Sequence, residues 1–438
     1  MKTTMYFFMV AILLFSFTGC NNDDDPKPPG PDYKGDITVQ LSLQDTTPST
    51  YAAGDDTEPP ITGESELATT LDVFVFDTLG YYEYNTSVSY DNGTRLTGQF
   101  LITAGVKFFY VFSNFPGNLP VTGSGMHRSV FEKNIREAVL NNNQTSISQN
   151  NQFFIGTLWA DTMRVLGTGT TATPEKILLD IGRIAAKIKL NKVPTQGSGA
   201  LQGAFDSAYY RVRSIPKEFY IVGQHDGDLD EIPPNHIGVQ IISAVHEKAP
   251  DPAVFFDYVF PDSTLYPPNA GGTQPLHYYT IENTTKPDGE GKLYYGNTTY
   301  LQLKVKYRPA QAETYDGTNG DPNIIIGESP GDFYTGILNG SRLIFDSDPT
   351  GLGATDVVYY AKGLNYYNIP VKDMSEDELP LQAAVIRNHY YEVNIKSISR
   401  LGENTPVVPP DKPIEDDKDI QLEITVLPWS KITYEPEL

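Results

Sequence analysis

Cysteine is almost absent from this sequence. Cys20 stands alone, so no disulfide can close within the chain and no thiolate cluster can hold a metal. Histidine is scarce too: the 6 residues are scattered, with no HExxH or other close pair, which removes the usual zinc arrangement. Positive charge is in short supply. Lys+Arg 32 against Asp+Glu 55 gives a formal net charge of −23, and nucleic-acid phosphates would repel such a chain. Tryptophan (2) and methionine (6) are rare, whereas 28 Tyr, 21 Phe, 37 Gly and 33 Pro favour strands and turns over helices. The phosphate-loop signature is missing. What remains, a 39% hydrophobic share, is enough for packed cores and excludes wholesale disorder.

The first residues carry a specific signal. "MKTTMYFFMVAILLFSFTGC" has a lysine near the start, an apolar run from Met5 to Phe17, then small residues before Cys20. It is too short and too early for a membrane span and reads as a secretory signal, residues 1–19. Phe17-Thr18-Gly19-Cys20 resembles a bacterial lipobox, with cleavage between Gly19 and Cys20 and acylation of the cysteine. Residues 20–35 then form an acidic, proline-rich tether, and an acidic run behind a lipidated cysteine resembles the surface-export signal of bacteroidal lipoproteins. The expected location is the cell surface, on an outer-membrane lipid anchor in the precursor.

No motif carries chemistry. "GESPG", Gly327 to Gly331, fits G-x-S-x-G, but Pro330 lacks the N–H that an oxyanion hole needs after the serine. "HDGDLDE", His225 to Glu231, lacks the ligand spacing and terminal glutamate of a calcium loop and reads as a solvated turn. No catalytic residue, metal site or cofactor is expected, and the chain is not read as an enzyme.

Short strands separated by turn clusters dominate. "DITVQLSL" places Ile37, Val39, Leu41 and Leu43 on one face. "LDVFVFDTLGYY", "RLTGQFLI" and "KFFYVFSN" follow, then one expected helix in "HRSVFEKNIREAVLN", with Phe131, Ile135 and Val139 at four-residue spacing and Ser129 as its cap. "KILLDIGRIAAKIKL" reads as a strand pair or long bent strand, with a helix as the alternative. Further strands are expected in "KEFYIVG", "GVQIISAV", "YLQLKVKY", "DVVYYAKG" and "HYYEVNIKSI". The spacing predicts an all-β protein of two sandwiches, residues 36–191 and 192–402.

The end of the chain is unusual. Residues 403–418, "ENTPVVPPDKPIEDDK", are rich in proline and acid and read as a tether of about 45–50 Å reach when extended. Behind them, residues 419–438 contain a strand with Ile420, Leu422, Ile424 and Val426 alternating with polar residues and Trp429 at its end. A strand on a tether suits docking in another molecule, although docking in its own domain is the plainer alternative. Its alternation matches that of Ile37–Leu43, as expected of two occupants of one groove.

"VIRNHYYEVNIKSISRLG" (385–402), the linker behind it and "LEITVLPW" resemble the C-terminal segments of fimbrillins, the FimA-like subunits of type V pili in bacteroidal bacteria. The shaft subunits of short, Mfa-type fimbriae are the nearest in pattern. "LDVFVFDTLG", "KFFYVFSN" and "IGRIAAKIKL" fall where that family has comparable blocks. The resemblance implies two transthyretin-like β-sandwiches, lipoprotein export, proteolytic removal of the first strand, and filling of the vacated groove by the C-terminal strand of the next subunit. Partners would be other copies, other fimbrial subunits and, through the lipid on Cys20, the outer membrane; the adhesion ligand is not named by any motif. The Mfa-type shaft subunit is cut at arginine, yet here the loop after the first strand has Tyr51 at that place. No arginine precedes Arg95 and no lysine lies between Lys34 and Lys107. Either another protease cuts near Tyr51 and Ala52, giving a shaft subunit, or the strand stays and the protein sits at the base or tip. A surface glycan-binding lipoprotein is the alternative from another class.

Overall fold

The computed structural model describes residues 37–43, 70–89, 99–113, 123–132, 135–137, 155–156, 161–167, 170, 173–179, 182–183, 185–199, 201, 203–216, 218–220, 222, 255–257, 277–283, 292–309, 331–371, 385–387, 389–414 and 420–428. The fold is all-β. In chain order the strands are β1 (Ile37–Leu43), β2 (Thr70–Phe76), β3 (Tyr82–Ser89), β4 (Gln99–Ile102), β5 (Gly105–Ser113), β6 (Ile135–Glu137), β7 (Ile155–Gly156), β8 (Asp161–Val165), β9 (Glu175–Leu179) and β10 (Gly182–Arg183). There follow β11 (Ala185–Lys192), β12 (Gly203–Arg213), β13 (Ile215–Pro216), β14 (Glu218–Tyr220), β15 (Phe255–Phe256), β16 (His277–Ile281) and β17 (Tyr300–Pro309). The last are β18 (Phe333–Leu338), β19 (Ser341–Phe345), β20 (Thr355–Tyr360), β21 (Leu364–Pro370), β22 (His389–Ile398) and β23 (Ile420–Pro428).

The N-terminal half holds two sheets, β4-β1-β9 and β10-β7-β5-β2-β3, with β8 also paired to β5. Strand β2 is apolar on both sides because both are covered: Val73, Phe74, Val75 and Phe76 are all buried. A single-turn helix, α1 (Arg128–Glu132), supplies one cover. Its Phe131 packs 5.0 Å from Phe74, 5.4 Å from Phe76 and 5.2 Å from Tyr110, centroid to centroid.

That helix is shorter than its sequence pattern predicts. Ile135 leaves it for β6, which pairs with β14, so tertiary pairing overrides the four-residue spacing. Val139 lies outside the described residues. Ser129 sits inside the helix instead of capping it, and its N–H is accepted by Nδ1 of His127. His127 also faces the carbonyl of Leu79, and Gly80 is a glycine there for two reasons. Its φ is +84°, and an added Cβ would lie 2.6 Å from the His127 ring.

In the C-terminal half, sheet β16-β11-β22-β23 faces sheet β12-β17-β21. Ile188 and Leu190, Tyr391, Val393 and Ile395 from the first meet Tyr210, Val212, Leu301, Leu303 and Val305 from the second in one continuous core. A three-stranded unit, β19-β18-β20, is inserted between β17 and β21 and joins that core through Phe333, Ile344 and Tyr360.

The region "KILLDIGRIAAKIKL" forms β9, β10 and β11, as the strand reading expects. Its last strand crosses the boundary drawn at residue 191. β10 pairs with β7 of the first half, whereas β11 pairs antiparallel with β16 and parallel with β22 of the second. Buried from Ala185 through Leu190, β11 is fixed by packing that its own sequence does not reveal. Among the described residues, no helix is long and apolar enough to cross a membrane.

Candidate assembly strands and the C-terminal strap

β1 lies between two strands. It runs antiparallel to β4, with Ile37 opposite Ile102 and Val39 opposite Phe100. On its other side it runs parallel to β9, with Val39 opposite Glu175, Leu41 opposite Ile177 and Leu43 opposite Leu179. A parallel pair cannot come from a hairpin, and more than a hundred residues separate these two strands in sequence. Taking β1 away would therefore leave a slot with an exposed strand edge on each side.

β23 has a different position. It pairs antiparallel with β22, from His389 opposite Pro428 to Ile398 opposite Ile420, with a bulge between Ile395 and Ser397. Ile424 faces Val393 and Val426 faces Tyr391 across the ladder. In this structure the terminal strand is thus docked on its own chain, the plainer of the two arrangements expected. It is the last strand of its sheet, and the described residues place nothing on its outer edge.

The segment between β22 and β23 departs from expectation. Read as a loose tether, it is instead a strap pinned across the outer face of β12-β17-β21. Arg400 and Gly402 start it, their carbonyls accepting from the hydroxyls of Tyr367 (2.9 Å) and Tyr360 (3.1 Å). Glu403 and Tyr366 exchange two backbone hydrogen bonds of 2.8 Å each. The Pro406 carbonyl accepts from Nη1 of Arg213 and from Nε2 of Gln302, both at 3.0 Å. Further on, Gly296 N–H donates to the Pro410 carbonyl (2.9 Å), Tyr295 N–H to that of Lys412 (3.1 Å), and Ile414 N–H to that of Leu293 (2.7 Å). A proline-rich segment cannot build its own ladder, but its carbonyls remain acceptors, and the sandwich supplies the donors. Gly402 is required by this close approach, since a Cβ there would collide with the Tyr366 carbonyl oxygen. Hydrogen bonding through Ile414 leaves only residues 415–419 between strap and β23, a reach of roughly 17 Å at full extension and not 45–50 Å.

Beneath the start of β22 lies a buried ion pair. Arg387 places Nη2 2.8 Å and Nε 2.9 Å from Oε2 of Glu282, with side-chain exposures of 0% and 1%. Burial holds the Glu282 carboxyl above the usual carboxylate range, against the attraction of Arg387. Neither residue is singled out by any sequence pattern; only burial marks them. Likewise β12 escapes notice because a bulge between Phe205 and Ser207 breaks the alternation of its inward residues.

Gly19, Cys20, Tyr51, Ala52 and Trp429 lie outside the described residues, as do "HDGDLDE" and Gly327 to Pro330 of "GESPG". Among the described residues, no three His, Cys, Asp or Glu side chains gather to hold a metal ion.

Residues 358–435, which run from within β20 through β21, β22, the strap and β23, match the family described as major fimbrial subunit protein type IV, Fimbrillin, C-terminal. This match, and relatives that cover most of the chain, make it similar to the fimbrillins of Bacteroidetes. Those relatives include two forms of the minor fimbrium subunit Mfa1 of Porphyromonas gingivalis, each 20% identical over 94% of this chain and 89% of its own length. A crystal structure of a candidate cell adhesion protein from Parabacteroides distasonis shares the fold, with a TM-score of 0.50 and 13% identity, covering 91% of this chain and 98% of that one.

Proposed function

We propose that this protein is a structural subunit of a cell-surface fimbria that assembles by strand exchange. β1 is shed by proteolysis, and the slot between β4 and β9 is filled by β23 of the next copy. The observation that carries this reading is the placement of β1, a central strand tied to no hairpin partner, together with a terminal strand that lies at a sheet edge. Chain order supports it: residues 44–69 separate β1 from β2, so one cut near Tyr51 and Ala52 would free the strand without touching the rest. Export as a lipoprotein acylated on Cys20 completes the route, with a division into two sandwiches between Arg183 and Ala185.

Energetics set a condition. β23 leaves a ladder on β22 to make ladders with β4 and β9, so one paired edge is exchanged for two. The short segment after Ile414 requires the receiving slot to be close to the donor's own strap.

Ile424→Asp or Val426→Asp should abolish filament formation while leaving a folded monomer, as read by electron microscopy and circular dichroism. Filaments at wild-type yield from both variants would overturn strand donation. The N-terminal residue and intact mass of surface-extracted protein separate the two roles. A start near Ala52 without lipid marks a shaft subunit; lipidated Cys20 in assembled fimbriae marks an unprocessed base or accessory subunit.

A further inference from the structure

Among the described residues nine large apolar side chains are exposed, and six of them gather at one end of the N-terminal half: Leu79, Tyr81, Leu101, Val106, Val130 and Leu166. Pairing and hydrogen bonds bring them together. The Val106 carbonyl, near the start of β5, accepts from the Thr78 hydroxyl at 3.0 Å. Leu166 follows β8, whose Val165 lies opposite Gly105. Val130 stands on α1, where the Arg128 N–H donates to the Gly80 carbonyl at 2.7 Å. Leu79 and Tyr81 belong to the β2–β3 turn, whose shape is fixed: Asp77 Oδ1 accepts both their N–H groups, at 2.9 and 2.8 Å. A leucine that is 72% exposed on so ordered a turn adds little to its own core.

This end is also one mouth of the slot that β1 occupies. Ile37, where β1 begins, lies opposite Ile102, the last residue of β4 before the turn into β5. Across the slot, Glu175 opens β9 opposite Val39, and its carboxylate accepts the N–H groups of Leu166 and Gly167 at 2.6 and 3.1 Å. Leu101 on one side and Leu166 on the other therefore flank the mouth. A collar of exposed apolar residues around a strand's point of entry marks a surface that is covered in the assembly.

Under the strand exchange proposed above, on which this step rests, chain length identifies the cover. Strap hydrogen bonding runs through Ile414, so the donor's body lies within roughly 17 Å of Ile420 wherever that residue enters. The strap presents an apolar ridge close to that point: Val407, 70% exposed, with Pro409 and Pro410 also exposed. We infer that the collar at the Ile37 mouth is the docking surface for this Val407–Pro410 ridge of the donor copy, with Ile420 entering the slot where Ile37 began. β23 then takes over the direction of β1, antiparallel to β4 and parallel to β9. An apolar contact suits two copies of a strongly acidic chain, because it needs no opposite charge and is not screened by salt. A cut near Tyr51 and Ala52 leaves both surfaces in the subunit.

The test uses the full chain assembled into fimbriae on cells. Leu79→Cys combined with Val407→Cys, treated with a flexible bismaleimide, should give a ladder of covalent oligomers on denaturing gels; neither single variant should. Leu79→Asp and Val407→Asp should each lower filament yield by roughly tenfold or more, the scale of one buried leucine or valine. The loss should be alike in low and high salt. Both positions are exposed, so circular dichroism of the monomer should not change. Wild-type yield from both Asp variants, or intact fimbriae of the double-cysteine variant without a ladder, would overturn this surface and leave strand donation standing. Wild-type yield from Val426→Asp would instead overturn strand donation, and this surface with it.

Discussion

Glu282 and Arg387 meet in the core, where neither charge reaches water. Replacing a lone partner leaves the other uncompensated, which typically costs about 3–5 kcal/mol. Arg387→Met should therefore lower the stability of the chain by that order, measured by urea unfolding. The pH dependence follows from sign. The Glu282 carboxyl has a folded pKa above its unfolded value, so its contribution is full below the unfolded pKa and is lost as pH rises through the folded one. Without Arg387 the folded pKa rises further. The deficit of Arg387→Met should accordingly be largest near pH 8 and shrink towards pH 5. Glu282→Gln leaves the Arg387 guanidinium buried and charged across this range, so its cost should stay nearly constant between pH 5 and pH 8. At this scale the sequence was opaque: with Asp+Glu 55 in the chain, nothing distinguishes Glu282 until the fold buries it.

At the scale of elements, the strap is held by hydrogen bonds from side chains and backbone far away in sequence, and its loss should be local. Arg213→Ala removes one donor to Pro406 and the pair with Asp257; Gly402→Ala forces the strap off Tyr366. Both should speed proteolytic nicking within residues 403–414 several-fold, while hydrogen-exchange protection of β11 and β22 stays unchanged. Gly402→Ala should also cost about 1–3 kcal/mol, the usual range for overpacking. The strands themselves were largely legible. β2, β5, β17, β20 and β22 coincide with apolar alternation or short apolar runs, because one or both faces are covered. β12 was not, since its bulge shifts the phase, and the helix expected through Val139 stopped at Glu132 once β6 found β14.

For the whole molecule, the reading of strand exchange makes a demand on β4 and β9. A chain beginning at Ala52 lacks β1 and exposes the edges of both, so it should be poorly soluble as a monomer. Peptides covering residues 36–43 and 419–429 should each restore solubility and should compete with one another, as read by size-exclusion chromatography. Binding of the first peptide but not the second would separate a vacated groove from strand donation. The short segment after Ile414 adds a geometric demand, since donor and acceptor must lie close together within the assembly.

Alternation and turn clusters determined by themselves that this protein is all-β, because strand periodicity is a local property written residue by residue. The resemblance of residues 385–429 to fimbrillins was also readable there, and the family match covers that same region. Tertiary structure alone decided three things. It set β1 between β4 and β9, gave β11 to the second half, and turned the proline-rich linker into a strap. Each depends on which distant segment supplies the missing hydrogen-bond partners, and a single strand's sequence records that it needs partners without recording where they are.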